Sequence, residues 1–343
     1  MPATARGFRE AFVPIVLALL LVQSGSCFAR EPESAARAQA LVQEFFDAGG
    51  SPGLSISVGI NGQLAWSGGF GYADLEQMVP VDPAHTKFRI GSVIKPMTAY
   101  AVARLFESGK LDLDAPVQTY VPDFPEKRWP ISTRQLLGHL AGIRHYGAGE
   151  FMSRVYYPTV EAGLEIFQHD PLLSEPGETY VYSSYGYNLL SAVIEGASDE
   201  NYLDFMSAHV FEPLGMSRTV PDVLGPIIQH RGRYYYEQDG QVLNAPEVDN
   251  SYKWASGGVI GTSDDLVRFG LAQLALDGIS AETRKMFWTV QTTNAGEPTG
   301  YGLGWRVASD DSGRLWVGHG GGSVGGTTSF WILPESGLVI AMI

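Results

Sequence analysis

Residues 89–114 read RIGSVIKPMTAYAVARLFESGKLDLD and hold a serine, Ser92, three positions before a lysine, Lys95. Residues three apart share one face of a helix, so this spacing brings the lysine amine within reach of the serine hydroxyl. Apolar residues recur around the pair at helical spacing, and Gly109 supplies a stop. The stretch therefore predicts a long, buried helix that begins near Ser92 and follows a strand, TKFRI.

The start of a helix suits a nucleophile, because its unpaired backbone N–H groups and positive dipole end stabilise the negative charge that an attacked carbonyl develops. A structural explanation stands beside this one, since serine often caps helices and lysine is a common helix former. The chain has six lysines, and Ser92 and Lys95 form its only S-x-x-K. Partners elsewhere in the sequence must decide between the two interpretations.

The composition of the 343 residues, 45% hydrophobic and 17% charged, predicts a globular chain with a substantial core. The net charge of −14 argues against a nucleic-acid or anionic-membrane partner, because no stretch concentrates lysine and arginine. The seven histidines lack metal-ligand spacing and there is a single cysteine, Cys27, so no metal site is expected. A small-molecule or peptide substrate is favoured, and the oligomeric state is not indicated.

The first 29 residues resemble a secretory signal, with arginines followed by an apolar run from Phe12 to Val22 and then small residues. Cleavage after Ala29 would give a secreted or periplasmic protein without cysteine and without stable membrane insertion. The alternative, a lipoprotein anchored at Cys27, is less favoured because SGSC lacks the usual aliphatic residue.

Hydrophobic patterns predict strands at both ends of the remaining chain and helices in its middle. An Asn61-Gly62 hairpin follows a helix over 34–48, and four successive strands close the sequence. We therefore expect an α+β fold, with an antiparallel sheet flanked by helices and interrupted by a largely helical inserted subdomain. The expected boundaries are one domain over 30–343, with its sheet part at about 34–110 and 250–343 and the insertion at about 111–249.

Two further clusters of residues could take part in a reaction at Ser92. Tyr182, Tyr185 and Tyr187 crowd the stretch TYVYSSYGYNLL, where Tyr182 precedes the predicted helix and is the better proton-transfer candidate, whereas the other two are expected to pack inside it. In WVGHGGGSVGG, a strand carries His319 and ends in glycines that allow a backbone N–H to approach Ser92. A glycine run is equally typical of a turn or bulge.

Three similar patterns in the same glycine-rich stretch are excluded by what surrounds them. Residues 321–325 match the G-x-S-x-G elbow, and residues 319–322 resemble a lipase oxyanion loop. The elbow, however, requires a following helix and a downstream histidine, and TTSFWILPE is strand-like with no later histidine. A dinucleotide-binding G-x-G-x-x-G also needs a following helix, so we reject it as well.

The order of Ser92-x-x-Lys95, Tyr182-Ser183-Ser184 and His319-Gly320-Gly321 resembles the serine beta-lactamase and D,D-peptidase superfamily. Within it, the chain looks most similar to the class C beta-lactamase-like branch, and particularly to the mitochondrial serine beta-lactamase-like proteins and their bacterial relatives. The resemblance covers nearly all of residues 53–343. It is carried by FRIGSVIKPMTAYAVARLFESGKLDLDAPV, ISTRQLLGHLAGIRHY, YSSYGYNLLSAVIE, FEPLGMSRT and ASGGVIGTSDDLVRF, which occur in this order.

This resemblance implies that Ser92 is the nucleophile, that Lys95 helps to deprotonate it, and that Tyr182 relays the proton to the leaving group. It also implies that the N–H groups of Ser92 and Gly322 bind the oxyanion, and that His319 orients Tyr182 and the far end of the substrate. No cofactor is implied.

The sequence departs from the family pattern in three places. Ser184 stands where many relatives have asparagine, which weakens the expected contact to a substrate amide. His319 stands where many beta-lactamases have lysine, and a neutral histidine binds a carboxylate less strongly. The sequence ends at Ile343, where the family usually continues into a helix, so an uncovered face or edge of the sheet is expected.

Three functions remain open. The leading hypothesis is a serine hydrolase that acts as a peptidase or amidase, with peptides of cell-wall type or beta-lactams as acyl donors. An esterase or beta-lactamase using the same site is the second. A non-catalytic binding or assembly module is the third, and the joint presence of Ser92, Lys95 and Tyr182 counts against it.

Overall fold

The computed structural model describes residues 31–49 and 51–343, so the predicted signal segment lies outside the described residues. The strands found there are β1 (Gly53–Ile60), β2 (Gln63–Asp74), β3 (Val79–Pro80), β4 (Phe88–Arg89), β5 (Val220–Pro221), β6 (Tyr235–Gln238), β7 (Gln241–Asn244), β8 (Val259–Gly261), β9 (Arg306–Ser309), β10 (Leu315–Ser323), β11 (Gly326–Leu333) and β12 (Leu338–Met342). The α-helices are α1 (Glu31–Ala48), α2 (Ile94–Glu107), α3 (Thr133–Leu137), α4 (Val160–Leu164), α5 (Ser184–Ser198), α6 (Tyr202–Met206), α7 (Trp254–Gly257), α8 (Ser263–Ala275) and α9 (Ala281–Trp288).

A seven-stranded sheet brings the two ends of the chain together, in the order β3-β2-β1-β12-β11-β10-β9. Every neighbouring pair is antiparallel, with Ile56 opposite Met342 and His319 opposite Phe330. The Asn61-Gly62 turn joins β1 to β2 with both φ angles positive, at 51° and 83°, as a two-residue hairpin requires. These observations confirm the predicted antiparallel sheet. The last strand, β12, lies inside the sheet, and the edges are β3 and β9.

Successive side chains of β1 point alternately to the two faces of the sheet. Ile56 is buried in an apolar cluster with Val42 of α1. The neighbouring Ser55 and Ser57 point to the other side, where both hydroxyls hydrogen-bond to the Ser263 hydroxyl at the start of α8. Helices therefore cover both faces, as the alternation of side chains along a strand allows.

Helix α2 runs through the core, and every residue from Ile94 to Ala103 is buried. It shares one apolar cluster with residues of α5 and with Phe330 of the sheet. The predicted buried helix after Ser92 is thereby confirmed. Its position places the beginning of α2 where the sheet and the inserted region meet.

The region between residues 111 and 249 contains α3 to α6 and, besides the two-residue strand β5, a longer element that the sequence analysis also missed. This element is the hairpin of β6 and β7, which turns at Asp239-Gly240 with φ angles of 51° and 76°. An Asp-Gly pair between strand-like residues is the signal that would have predicted it. Among the described residues, no helix has the length and apolar character needed to cross a bilayer.

Candidate active site

Ser92 lies on a tight turn directly before α2. Residues Gly91–Val93 form one turn of 3-10 helix, and Gly91 has a φ angle of +53°, which a glycine adopts without strain. A side chain on Gly91 would also collide with the backbone of Gly322 in β10, at 2.7 Å from its carbonyl oxygen. The turn therefore holds the half-buried Ser92 against β10.

Lys95 is completely buried, and its amine reaches three oxygen atoms. The Nζ atom lies 3.1 Å from Ser92 Oγ, 3.2 Å from Ser184 Oγ and 2.8 Å from the carbonyl oxygen of Ser256. None of these partners is a carboxylate. Burial, together with the positive charges of Lys253 and Arg306, holds the pKa of Lys95 well below its usual value, so the neutral amine is favoured.

Tyr182 lies directly before α5, and two histidines fix the backbone that follows it. The N–H groups of Ser183 and Ser184 each donate a hydrogen bond of 3.1 Å, to Nδ1 of His139 and of His145 respectively. The His139 ring also lies 4.3 Å from the Tyr182 ring between centroids. Burial raises the pKa of Tyr182, and the Ser92 hydroxyl opposes this shift only in part, so Tyr182 keeps its proton.

The other two tyrosines of the cluster have structural partners. The Tyr185 hydroxyl donates to Glu150 at 2.8 Å, and the Tyr187 hydroxyl donates to the carbonyl oxygen of Leu137 at 2.9 Å. Both side chains are buried, as their positions inside the predicted helix led us to expect.

Strand β10 passes close to Ser92 because Gly321 has no side chain. A Cβ atom on Gly321 would lie 2.2 Å from the carbonyl oxygen of Ile90 and 3.3 Å from the backbone nitrogen of Ser92. At Gly322 a Cβ atom would meet nothing within 4 Å. The glycine run is therefore a place of close backbone approach and leaves open space at Gly322, beside the turn that carries Ser92.

We expect Gly321→Ala to lower the rate of Ser92 acylation by about 10²- to 10³-fold, the usual effect of losing one oxyanion donor, because the clash with backbone atoms would push β10 away from Ser92. Gly320→Ala is the matched control, since its Cβ atom would only touch the Thr328 carbonyl oxygen at 3.8 Å. Acylation rates measured with a fluorophosphonate probe compare the two variants. Equal rates would show that the spacing between β10 and Ser92 does not control acylation.

His319 is completely buried beside Tyr182, with 6.2 Å between the ring centroids, but its hydrogen bonds go elsewhere. Burial and the charges of Arg306 and Lys95 hold the pKa of His319 well below its usual value, so the ring is neutral. Its Nδ1 donates to the carbonyl oxygen of Gly320 at 2.6 Å, and its Nε2 accepts from the Tyr301 hydroxyl at 2.9 Å. In this arrangement His319 can influence Tyr182 only through the packing of the two rings. The direct contact of His319 with a substrate stays a prediction.

The sequence analysis missed two cations that lie near these residues. The Arg306 guanidinium lies 6.0 Å from the centre of the Tyr182 ring, and among the described residues its side chain has no hydrogen-bond or ion-pair partner. Lys253, three residues before Ser256, is only 3% exposed. Lysine is scarce in this sequence, and this scarcity could have drawn attention to Lys253. Arg306 lies in no distinctive motif.

Lys253 gives the stability of the protein a specific pH dependence. Burial is the main cause that lowers its pKa to about 7, whereas in the unfolded chain it titrates near 10.5. Between these values the unfolded state binds the extra proton, so the free energy of unfolding should rise with pH from about 7 to 10.5. Lys253→Met should remove a slope of at most about 1.4 kcal/mol per pH unit in denaturant titrations. Parallel curves for the two proteins over this range would contradict the assigned shift.

Comparisons with known proteins agree with this arrangement. The chain is similar to the mitochondrial serine beta-lactamase-like protein LACTB of Homo sapiens, with 34% identity over an alignment of 404 residues that covers 90% of this chain and 73% of that protein. It is also similar to penicillin-binding protein 4* of Bacillus subtilis (strain 168), with 30% identity over 287 residues, 78% of this chain and 62% of that protein. The solved structure of an octameric penicillin-binding protein homologue from Pyrococcus abyssi aligns with a TM-score of 0.78 and 26% identity, covering 89% of this chain and 72% of that one.

A family profile described as Beta-lactamase matches residues 38–343, which is most of the chain. The profile match, the identity to the human relative and the shared fold all agree with the resemblance first noted in the three motifs. We conclude that the chain belongs to the beta-lactamase family, a family of serine hydrolases.

Proposed function

We propose that this protein is a hydrolase that forms an acyl-enzyme on Ser92 and acts as a peptidase or amidase. The observation that carries the proposal is the completely buried Lys95 amine, which lies 3.1 Å from the Ser92 hydroxyl and has no carboxylate among its three oxygen partners. A buried lysine without a counterion is costly for a fold. A role as the base that accepts the Ser92 proton near neutral pH would explain why the fold keeps a buried lysine at this position.

The hydrogen bonds of Lys95 are consistent with a base. A neutral amine has two N–H donors, which the Ser256 carbonyl oxygen and the Ser184 hydroxyl can accept. The remaining lone pair then faces the Ser92 hydroxyl and can take its proton when Ser92 Oγ attacks a carbonyl carbon. Ser184 thus supports Lys95 in this proposal, in addition to its predicted contact with the substrate.

Tyr182 has the complementary property. Because its pKa is raised, it is a proton donor at neutral pH and not a phenolate base. We assign it the transfer of the proton from Lys95 to the leaving nitrogen as the bond between the carbonyl carbon and that nitrogen breaks. A water molecule would then attack the ester on Ser92, release a carboxylic acid and restore the serine.

The negative charge on the attacked carbonyl oxygen would be bound by the N–H groups of Ser92 and Gly322. Support comes from the close approach of β10 at Gly321 and from the open space at Gly322. Arg306 lies on the Tyr182 side of the site, where the leaving group would be protonated. Its unpaired guanidinium supplies the cation that His319 lacks, and this favours leaving groups that carry a carboxylate.

Covalent labelling tests this proposal. The purified protein should react with a fluorophosphonate and with a fluorescent penicillin, and peptide mapping should place both adducts on Ser92. Ser92→Ala should react with neither probe. Labelling by the fluorophosphonate alone would favour an esterase, and labelling by neither at native folding would favour a binding or assembly module.

We also propose that residues 1–29 direct export, on the strength of their charged, apolar and small-residue segments. Expression of the full chain in a bacterium, followed by fractionation and N-terminal sequencing, tests this. Export with a new terminus at Arg30 agrees with the proposal, and a cytoplasmic protein that retains Met1 overturns it.

A further inference from the structure

Arg89 is a buried arginine that the mechanism proposed above does not use. It lies in β4, three residues before Ser92, and is only 4% exposed. Its Nε atom donates to Asp222 Oδ2 at 2.7 Å, and its Nη1 atom donates to the carbonyl oxygen of Val324 at 3.0 Å. The Tyr234 ring covers the guanidinium, with 3.9 Å between the ring centre and Cζ. One side chain therefore connects the strand before Ser92 to a segment 235 residues later in the chain.

The segment that Arg89 reaches is the turn between β10 and β11. Val324 lies in this turn, two residues after Gly322, whose N–H is assigned above to the oxyanion. The backbone of Arg89 is held to the same hairpin, because its carbonyl oxygen accepts a hydrogen bond of 3.4 Å from the Thr328 hydroxyl in β11. Arg89 is thus bound to both strands that flank the turn directly after the proposed oxyanion donor.

No other residue makes a polar connection of this kind. Among the described residues, two hydrogen bonds join residues 88–93 to residues 318–328, and Arg89 takes part in both. The close approach at Gly91 and Gly321 allows the two segments to meet. Such packing is not directional, whereas a hydrogen bond fixes both a distance and an angle. The relative position of the Ser92 turn and β10 therefore depends on Arg89.

Asp222 is a firm anchor for the Arg89 guanidinium. The side chain is 1% exposed, and its backbone N–H donates to the carbonyl oxygen of Gly258 at 2.9 Å. Oδ2 also accepts from the Asn250 side-chain amide at 2.7 Å, and Oδ1 lies 3.5 Å from Nη2 of Arg231. A buried ion pair contributes little net stability, because the loss of hydration offsets the attraction. Stability alone therefore does not explain why the fold keeps this pair next to the site.

We propose that Arg89, held by Asp222, is a positioning residue that sets the distance between the two oxyanion donors, the N–H groups of Ser92 and Gly322. This inference rests on the proposed acyl-enzyme function and adds to it the element that aligns the oxyanion site. Such donors act at about 2.7–3.1 Å from the developing charge, and a misplacement of about 1 Å can cost about 10²-fold in rate. Arg89 itself touches neither the substrate nor the reacting atoms.

Two esters that differ in one atom test the inference. In p-nitrophenyl acetate the attacked carbon carries oxygen, and in its thionoester analogue it carries sulfur, which accepts hydrogen bonds only weakly. We would measure kcat/KM for both esters with the wild type and with Arg89→Met. The variant should lose about 10²-fold on the oxoester with little change in KM, and clearly less on the thionoester. The oxoester-to-thionoester ratio should therefore fall, whereas a loss of folded protein lowers both rates equally and leaves the ratio unchanged.

A second variant separates folding from positioning, because the removal of one partner of a buried ion pair can unfold a protein. Arg89→Met combined with Asp222→Asn leaves no unpaired carboxylate. This double variant should melt closer to the wild type than Arg89→Met does, yet keep the lowered ratio. Recovery of the wild-type ratio together with the melting temperature would show that the pair is only structural and would overturn the inference.

Arg268→Met is the matched control, because Arg268 donates to another buried aspartate, Asp265, at 2.8 Å. It should lower the melting temperature without changing the ratio. Fluorophosphonate labelling of Ser92 separates the two levels of the argument. Normal labelling of the wild type, with the same ratio in Arg89→Met or with turnover of neither ester, would overturn the inference alone. Absent labelling of the wild type would overturn the proposed function itself.

Discussion

Replacing Lys95 by methionine should lower the rate of Ser92 acylation by about 10²- to 10⁴-fold, the range typical of a general base, while the protein stays folded. Methionine keeps the apolar stem and a similar helix propensity, but it has no lone pair that can take the Ser92 proton. The partners of the amine are the Ser92 and Ser184 hydroxyls and the Ser256 carbonyl oxygen, and none of these carries a charge. No buried carboxylate is stranded, so the free energy of unfolding should change by only about 1–2 kcal/mol.

Covalent labelling and thermal melting of Lys95→Met, run beside Ser92→Ala, measure both effects. A lysine that neutralised a buried carboxylate would cost about 3 to 5 kcal/mol when removed. A variant that melts far earlier than the wild type, yet labels at the normal rate where still folded, would show that Lys95 is structural and that Ser92 lacks this base.

Tyr182→Phe should impair turnover far more than the same change at Tyr185 or Tyr187, by about 10²- to 10⁴-fold in kcat/KM. Only the Tyr182 phenol faces Ser92, and its raised pKa keeps the proton that the leaving group needs. The hydroxyls of Tyr185 and Tyr187 already donate to Glu150 and to the Leu137 carbonyl oxygen. Their loss should lower the free energy of unfolding by about 1–3 kcal/mol and leave the chemical step largely intact.

Kinetics on an amide donor and urea titrations of the three phenylalanine variants give the comparison. A donor with a good leaving group, such as a p-nitrophenyl ester, should reduce the defect of Tyr182→Phe, because such a group departs without a proton. Equal, small losses in all three variants at unchanged folding would remove Tyr182 from the mechanism.

Most of the helices and strands could be predicted from the local sequence, because turns, helix ends and hydrophobic spacing depend on residues that are neighbours in the chain. The Asn61-Gly62 pair predicted the hairpin, and the helical spacing after Ser92 predicted a buried α2. The S-x-x-K spacing also predicted the contact between Ser92 and Lys95, since one helical turn sets that distance. The β6–β7 hairpin carried the same kind of local signal at Asp239-Gly240 and could have been predicted.

Contacts between distant segments were decided only by the tertiary structure. Arg306 and Lys253 lie far from Ser92 in sequence, and whether such a cation meets a carboxylate or stays unpaired depends on every segment that packs around it. His319 is separated from Tyr301 by 18 residues, and its neutral form follows from complete burial, which no motif specifies. Charge and pKa are properties of a three-dimensional environment, so the sequence by itself predicted the sheet and the contact between Ser92 and Lys95, and the fold decided which cations have no partner among the described residues.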